Sequence, residues 1–206
     1  MIVKRDILGM IGTNCYYIYD EESKKAIVID PADNYAKLLA TLNKLEIAPV
    51  AVLLTHGHFD HIMAADKLRT EYGIKVYIGE HEADVVTNPN LNLSAAMAVP
   101  ASVKPDVLVK DNEVLDIEGI TIKAIHTPGH TKGGMCYYLP KENVVFTGDT
   151  LFYESVGRTD FPTSSTSQLV RSIKDKLFEL PDETICYPGH GDSTQIAYEK
   201  ENNPFI

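Results

Sequence analysis

Along the first third of the chain, apolar and polar positions fall into short blocks broken by turn residues, which predicts strands at residues 2–8, 15–19 and 26–30. Turn material at 9–14 and 20–24 separates them, so an antiparallel meander is expected. The period then changes: Leu38, Leu39, Leu42 and Leu45 recur at helical spacing behind Asp33, which is placed to cap the helix. A fully apolar strand follows at 50–54, then a helix over about 62–72 that Gly73 ends, then a strand at 75–78. Residues 87–101 carry no charge and are interrupted by Asn88, Pro89 and Pro100, so an irregular segment is expected. Within it, residues 90–100 have the character of a lid, with Leu91, Leu93 and Met97 available to a cleft or to the core.

The second half repeats the grammar, with strands near 113–115, 120–126, 135–139 and 143–147, a helix over 167–178 and a strand at 184–187. Strands precede helices in both halves. Two sheets packed face to face with helices outside would bury such strands, so the expected class is α/β and the expected architecture an αββα four-layer sandwich. No linker, low-complexity segment or repeat divides the sequence, and one domain over residues 1–206 is the expectation.

Composition narrows the function classes. The 206 residues are 44% hydrophobic and 23% charged, as in a globular protein able to bury a core without staples. No apolar run approaches the ~20 residues of a membrane span, and the first residues lack the apolar stretch of a signal peptide, so a cytoplasmic protein is expected. Nineteen basic against 29 acidic side chains give a net charge of −10, which argues against a nucleic-acid partner. Cys15, Cys136 and Cys186 form no CxxC pair and are expected to be reduced and buried.

The chemistry concentrates after the strand at 50–54, where His56-Gly57-His58-Phe59-Asp60-His61 places three imidazoles and a carboxylate in six residues. Three like rings so close need partners for their nitrogens, and imidazole with carboxylate is the donor mixture of zinc and iron sites. Two further strands run into Pro128-Gly129-His130 and Pro188-Gly189-His190, and a third ends at Asp149. Each Pro-Gly-His alone is an ordinary turn; their recurrence after strands, together with the cluster, is the signal. Five histidines and two aspartates exceed the roughly three protein ligands of a catalytic zinc. With Asp149 bridging, each of two ions has about four ligands, as in sites with ions ~3.5–4 Å apart. The expected metal ligands are therefore His56, His58, Asp60, His61, His130, Asp149 and His190. Two divalent ions are expected, with zinc as the default and iron or manganese compatible with the same donors.

These motifs resemble the metallo-β-lactamase superfamily, whose H-x-H-x-D-H hallmark is matched at His56, His58, Asp60 and His61, with later ligands at His130, Asp149 and His190. Within it the chain is most similar to short glyoxalase II (hydroxyacylglutathione hydrolase) proteins, through Gly148-Asp149-Thr150-Leu151-Phe152 and Gly157-Arg158-Thr159-Asp160-Phe161-Pro162. The resemblance spans residues 1 to about 191. It implies that His56, His58 and His130 bind one ion, that Asp60, His61 and His190 bind the other, and that Asp149 bridges. Longer glyoxalase II enzymes add a C-terminal helical region that grips glutathione, whereas only residues 191–206 follow His190. Near the family's Lys-x-Tyr glutathione contacts this chain has Arg158 and Asp160.

A hydroxide held between two divalent ions is available at neutral pH and can attack a carbonyl, with Asp60 and Asp149 as the carboxylates around it. A thiolate, whose acid has a pKa near ~8.5, leaves without a strong general acid, so a small-molecule thioester such as S-lactoylglutathione is the expected substrate. The rival is a persulfide dioxygenase with a single iron, a sister group that shares the histidine motif and Gly-Arg-Thr-Asp-Phe. A metal-stabilised binding or scaffold protein ranks last, because structural zinc sites are often thiolate-rich and no cysteine lies in these motifs. β-Lactam hydrolysis is disfavoured, since Asp149 stands where one lactamase class has a cysteine ligand. Arg158 is the candidate for a substrate carboxylate, with pairing to Asp160 as its plain alternative. His126 is placed to support a ligand, His81 reads as a surface residue, and Tyr153 and Tyr187 as packing residues.

Overall fold

The computed structural model describes all 206 residues, and the chain divides into two compact units: Met1–Ile78 with Ala83–Leu108, and Gly79–Glu82 with Val109–Ile206. The first carries β1 (Ile2–Leu8), β2 (Thr13–Tyr19), β3 (Lys25–Ile29), α1 (Tyr35–Leu45), β4 (Ala48–Leu53), α2 (Phe59–Ile62), α3 (Ala65–Tyr72), β5 (Lys75–Gly79), α4 (Ala83–Thr87) and β6 (Val107–Val109). Its sheet runs in the order β1-β2-β3-β4-β5-β6. β1, β2 and β3 form the expected antiparallel meander, with Ile2 opposite Tyr19 and Leu8 opposite Thr13 at its start. β3, β4 and β5 are parallel. Every residue of β2 is buried, the polar Thr13 and Asn14 included, and β3 is buried from its second residue on, so from Cys15 and Ala26 onward these strands read as continuous runs rather than alternating ones.

Two helix starts differ from expectation for local reasons. Asn34, in the left-handed region, caps α1 by accepting from the Lys37 N–H, while Asp33 accepts from the Asn34 N–H. The helix expected over 62–72 is broken, because the Ala64 N–H donates to the Pro31 and Ala32 carbonyls instead of continuing a helical ladder. That break leaves α2 as a single turn carrying Asp60 and His61. Thr87 ends α4, and residues 88–101 form turns rather than a helix or strand, organised by Asn92 and Ser94, whose side chains bond the Ala101 backbone.

The second unit carries β7 (Val114–Ile117), β8 (Ile120–His126), β9 (Met135–Leu139), β10 (Val144–Gly148), β11 (Leu151–Phe152), β12 (Ser155–Val156), α5 (Thr166–Ser172), β13 (Ile185–Pro188), β14 (Thr194–Gln195) and α6 (Ile196–Asn202). Its main sheet runs β14-β13-β10-β9-β8-β7. β8 and β10 each pair antiparallel with β9, and β13 is parallel to β10, so β8, β10 and β13 all point one way. α5 passes into a π-helical turn over Ile173–Leu177, closed by Phe178 N–H to Ile173 C=O, where one uninterrupted helix was expected. Ile125, Val145, Leu169, Ile173, Leu177 and Ile196 form this unit's core; each such side chain fully removed from water contributes about 1.5–3 kcal/mol. No helix is long and apolar enough to cross a membrane.

Candidate metal centre

In the first unit, parallel β3 and β4 end side by side, tied by the Asp30 N–H to the Leu53 carbonyl. Beyond β3 comes Asp30; beyond β4 come Thr55 and His56. The carboxyl ends of adjacent parallel strands are where α/β sheets open a crevice. His58 precedes α2, and Asp60 and His61 ride on its single turn. His56, His58 and His61 are all buried, with ring centroids 4.8 Å apart for His56 and His58 and 4.2 Å for His56 and His61.

Asp30 orients this cluster, and it was not singled out from the sequence. Its buried carboxylate accepts from the Thr55 N–H (2.8 Å) and the Thr55 hydroxyl (2.7 Å), and lies 2.9 Å from His61 Nδ1. An ionised carboxylate only accepts, so His61 carries its proton on Nδ1 and presents a lone pair at Nε2. The Thr55 hydroxyl has given its one proton to Asp30. Its oxygen, 3.1 Å from His56 Nδ1, therefore accepts from that ring, and His56 also presents Nε2. A ligand histidine that donates its other N–H to a carboxylate or hydroxyl is the usual support of a metal site. Asp60 Oδ2 accepts from the Thr13 hydroxyl at 3.0 Å and stands 3.5 Å from His61 Nε2.

In the second unit, the common direction of β8, β10 and β13 brings the segments after them to one edge of the sheet, with Gly189 N–H on the Gly148 carbonyl at 2.8 Å. These segments carry His130, Asp149 and His190. One oxygen of Asp149 faces both rings, 3.5 Å from His130 Nε2 and 3.6 Å from His190 Nε2. His130 Nδ1 lies 2.8 Å from the Arg158 carbonyl, an acceptor only, so this ring too offers Nε2. The fold depends on a glycine here: a Cβ at Gly157 would lie 1.8 Å from the Asp149 carbonyl oxygen.

The donor atoms fit divalent cations. Separations of 3.5–3.6 Å are long for hydrogen bonds but match two ligand atoms each about 2.1 Å from a common ion at a tetrahedral angle, roughly 3.4 Å apart. Hard and borderline donors of this kind suit zinc, iron and manganese alike.

The other candidates resolve as follows. The Arg158 guanidinium donates through two nitrogens to Asp160 at 3.0 and 2.7 Å and lies over the Phe161 ring, while its carbonyl is what holds His130. His126 bonds the Lys132 carbonyl and packs near the exposed His81 ring. Tyr187 stacks on Phe146, and Tyr153 on Tyr198. All three cysteines are buried thiols.

The metallo-beta-lactamase superfamily model matches residues 8–190. Hydroxyacylglutathione hydrolase GloC of Haemophilus influenzae is 36% identical over 197 residues, covering 94% of this chain and 92% of that protein. The crystal structure of BLEG-1 B3 metallo-beta-lactamase superposes with a TM-score of 0.94 at 39% identity, covering 99% of both chains. TTHA1623 in a di-iron-bound form gives 0.84 at 34% identity, covering 98% of this chain and all of that one. The α/β class expected from the sequence is the one found, and the chain, with its histidine and aspartate donors, belongs to the metallo-beta-lactamase superfamily.

Proposed function

We propose that this chain is a dinuclear metallohydrolase of thioesters, in which the two donor sets share a pair of divalent ions. His56, His58 and His130 would hold one ion, Asp60, His61 and His190 the other, and Asp149 would bridge them. The observation that carries this reading is the tautomer control: Thr55 with Asp30, Asp30 itself, and the Arg158 carbonyl turn His56, His61 and His130 so that each offers Nε2. Bound divalent ions supply a water acidified to near neutrality and a Lewis acid for the carbonyl oxygen. The chain's own contribution is to fix the ligands against rotation, so that no reorganisation accompanies the reaction. Asp60 and Asp149 serve as ligands, so neither is a general acid for the leaving group. That favours a thiolate, with its conjugate pKa near ~8.5, over an amine or alkoxide. The likeness to GloC supports the same substrate class. Arg158 remains the proposed contact for a substrate carboxylate, because an exposed pair such as Arg158–Asp160 is worth about 0–1 kcal/mol and exchanges readily.

The test combines elemental analysis of protein purified without added metal with steady-state assays. The expected result is about two ions per chain and chelator-sensitive hydrolysis of S-lactoylglutathione or a related thioester. A single iron with oxygen uptake on glutathione persulfide would replace this reading with the dioxygenase. The likeness to BLEG-1 makes a β-lactam the necessary parallel substrate, and turnover of it with none of any thioester would sink the proposal.

A further inference from the structure

A groove opens beside Asp60 within the first unit, and its walls are unlike the polar donor set. Its apolar lining is Met10, Ile11, Phe59, Met63, Met97 and Val99. Met10 and Ile11 sit at the tip of the β1–β2 hairpin between Gly9 and Gly12, whose φ values of 70° and 80° let the turn project them outward. Met10 is 92% exposed, and Ile11, Met63, Met97 and Val99 are also exposed large apolar side chains. Clustered exposed apolar surface of this kind marks a binding site. Three of the chain's five methionines line it, and methionine is the side chain that best adapts to varied apolar shapes. The charged lining residue not assigned to a metal ion is Asp33, an acid, so an anionic group in the outer part of the groove is disfavoured.

We propose that this groove receives the acyl chain of the substrate, and that the chain is a neutral apolar one of roughly four to six carbons. The inference rests on the thioesterase reading and specifies its substrate class. Size decides between the two halves of a thioester: the cavity of about 120 Å3 is comparable with the ~150 Å3 apolar cavity that takes up benzene. It is too small for a peptide or nucleotide thiol carrier. Continuity decides the position, because Asp60, a proposed metal ligand, forms part of the same wall and is held there by Thr13, which also lines the groove.

Two measurements test this independently. In the first, methionine methyl resonances are followed by NMR in the full-length metal-loaded protein as hexanoate or glycolate is added. Hexanoate should move the signals of Met10, Met63 and Met97 and leave those of Met1 and Met135, whereas glycolate should move none of the five. In the second, kcat/KM is compared across acetyl, butyryl and hexanoyl thioesters of one thiol. The value should rise by up to about fourfold per methylene, and Met10→Ser with Met97→Ser should bring the hexanoyl-to-acetyl ratio toward one. Thioester turnover with a flat series and unmoved methionine signals would overturn the groove and leave the thioesterase reading intact. Methionine shifts without turnover of any thioester would sink the thioesterase reading, and with it the assignment of the groove to a thioester's acyl chain, leaving an apolar binding groove. Methionine signals that move with protein concentration would overturn the proposal in favour of a second copy of the chain covering the groove.

Discussion

Asp30 shows what a single side chain contributes. Three donors converge on its carboxylate, and two rings proposed as metal ligands depend on it, His61 directly and His56 through Thr55. Asp30→Asn keeps the shape but places an amide NH2 where only acceptors fit, so the Thr55 hydroxyl or the His61 N–H loses its partner. Metal affinity should fall about 10–100-fold, read by chelator competition, with the circular dichroism spectrum unchanged; wild-type affinity would show that Asp30 does not support the ligands. Gly157→Ala is the complementary probe, since its Cβ would meet backbone rather than a flexible side chain. It should displace Asp149 and abolish tight metal retention, whereas Asp149→Asn should lose metal without a backbone shift. The histidines were legible because three stood within six residues. Asp30 was not, because it lies 25 residues before Thr55 and 31 before His61, and a lone aspartate closing a strand looks like turn chemistry. The Arg158 carbonyl was illegible in principle, since any residue supplies one.

At the scale of elements, strands with strong apolar runs were read closely: β1, β8 and β9 have the expected bounds, and β3, β4 and β10 differ by one or two residues at each end. The two-residue strands β11, β12 and β14 were not read, because two residues carry no period. α6 also went unread, and hydrogen bonds to a buried carboxyl group anchor it. Glu199, on α6, accepts from the Thr194 hydroxyl, the Asn203 side-chain amide and the Glu154 N–H. Glu199→Ala strips three donors of their acceptor at a buried position and should destabilise the fold by about 3 kcal/mol, measured by urea unfolding. Glu199→Gln retains an acceptor oxygen and should cost less; equal losses would show that packing, not hydrogen bonding, holds the helix.

For the molecule as a whole, the hydrophobic pattern in each half gave strands before helices but not the order of strands within a sheet, because pairing is decided by contacts distant in sequence. The burial of the three cysteines was legible, and it has a consequence for the entire fold. Burial pushes the Cys136 thiol up to about 11 and raises Cys15 and Cys186 as well. In the unfolded chain all three titrate near ~8.5. Above that pH the unfolded state sheds protons that the native state keeps, so stability must fall as pH rises. At pH 9.5 the loss is roughly 1.4 kcal/mol per thiol, or about 4 kcal/mol for three. Urea midpoints should therefore drop steeply between pH 8 and 10, and a Cys15→Ser, Cys136→Ser, Cys186→Ser triple variant, though less stable at pH 7, should show a much shallower slope. In the native protein a thiol reagent at pH 8 should titrate no cysteine, and after denaturation three. Rapid native modification of any one would mean that its surroundings open on the timescale of the assay, and an identical pH slope in the triple variant would assign the alkaline loss to other groups.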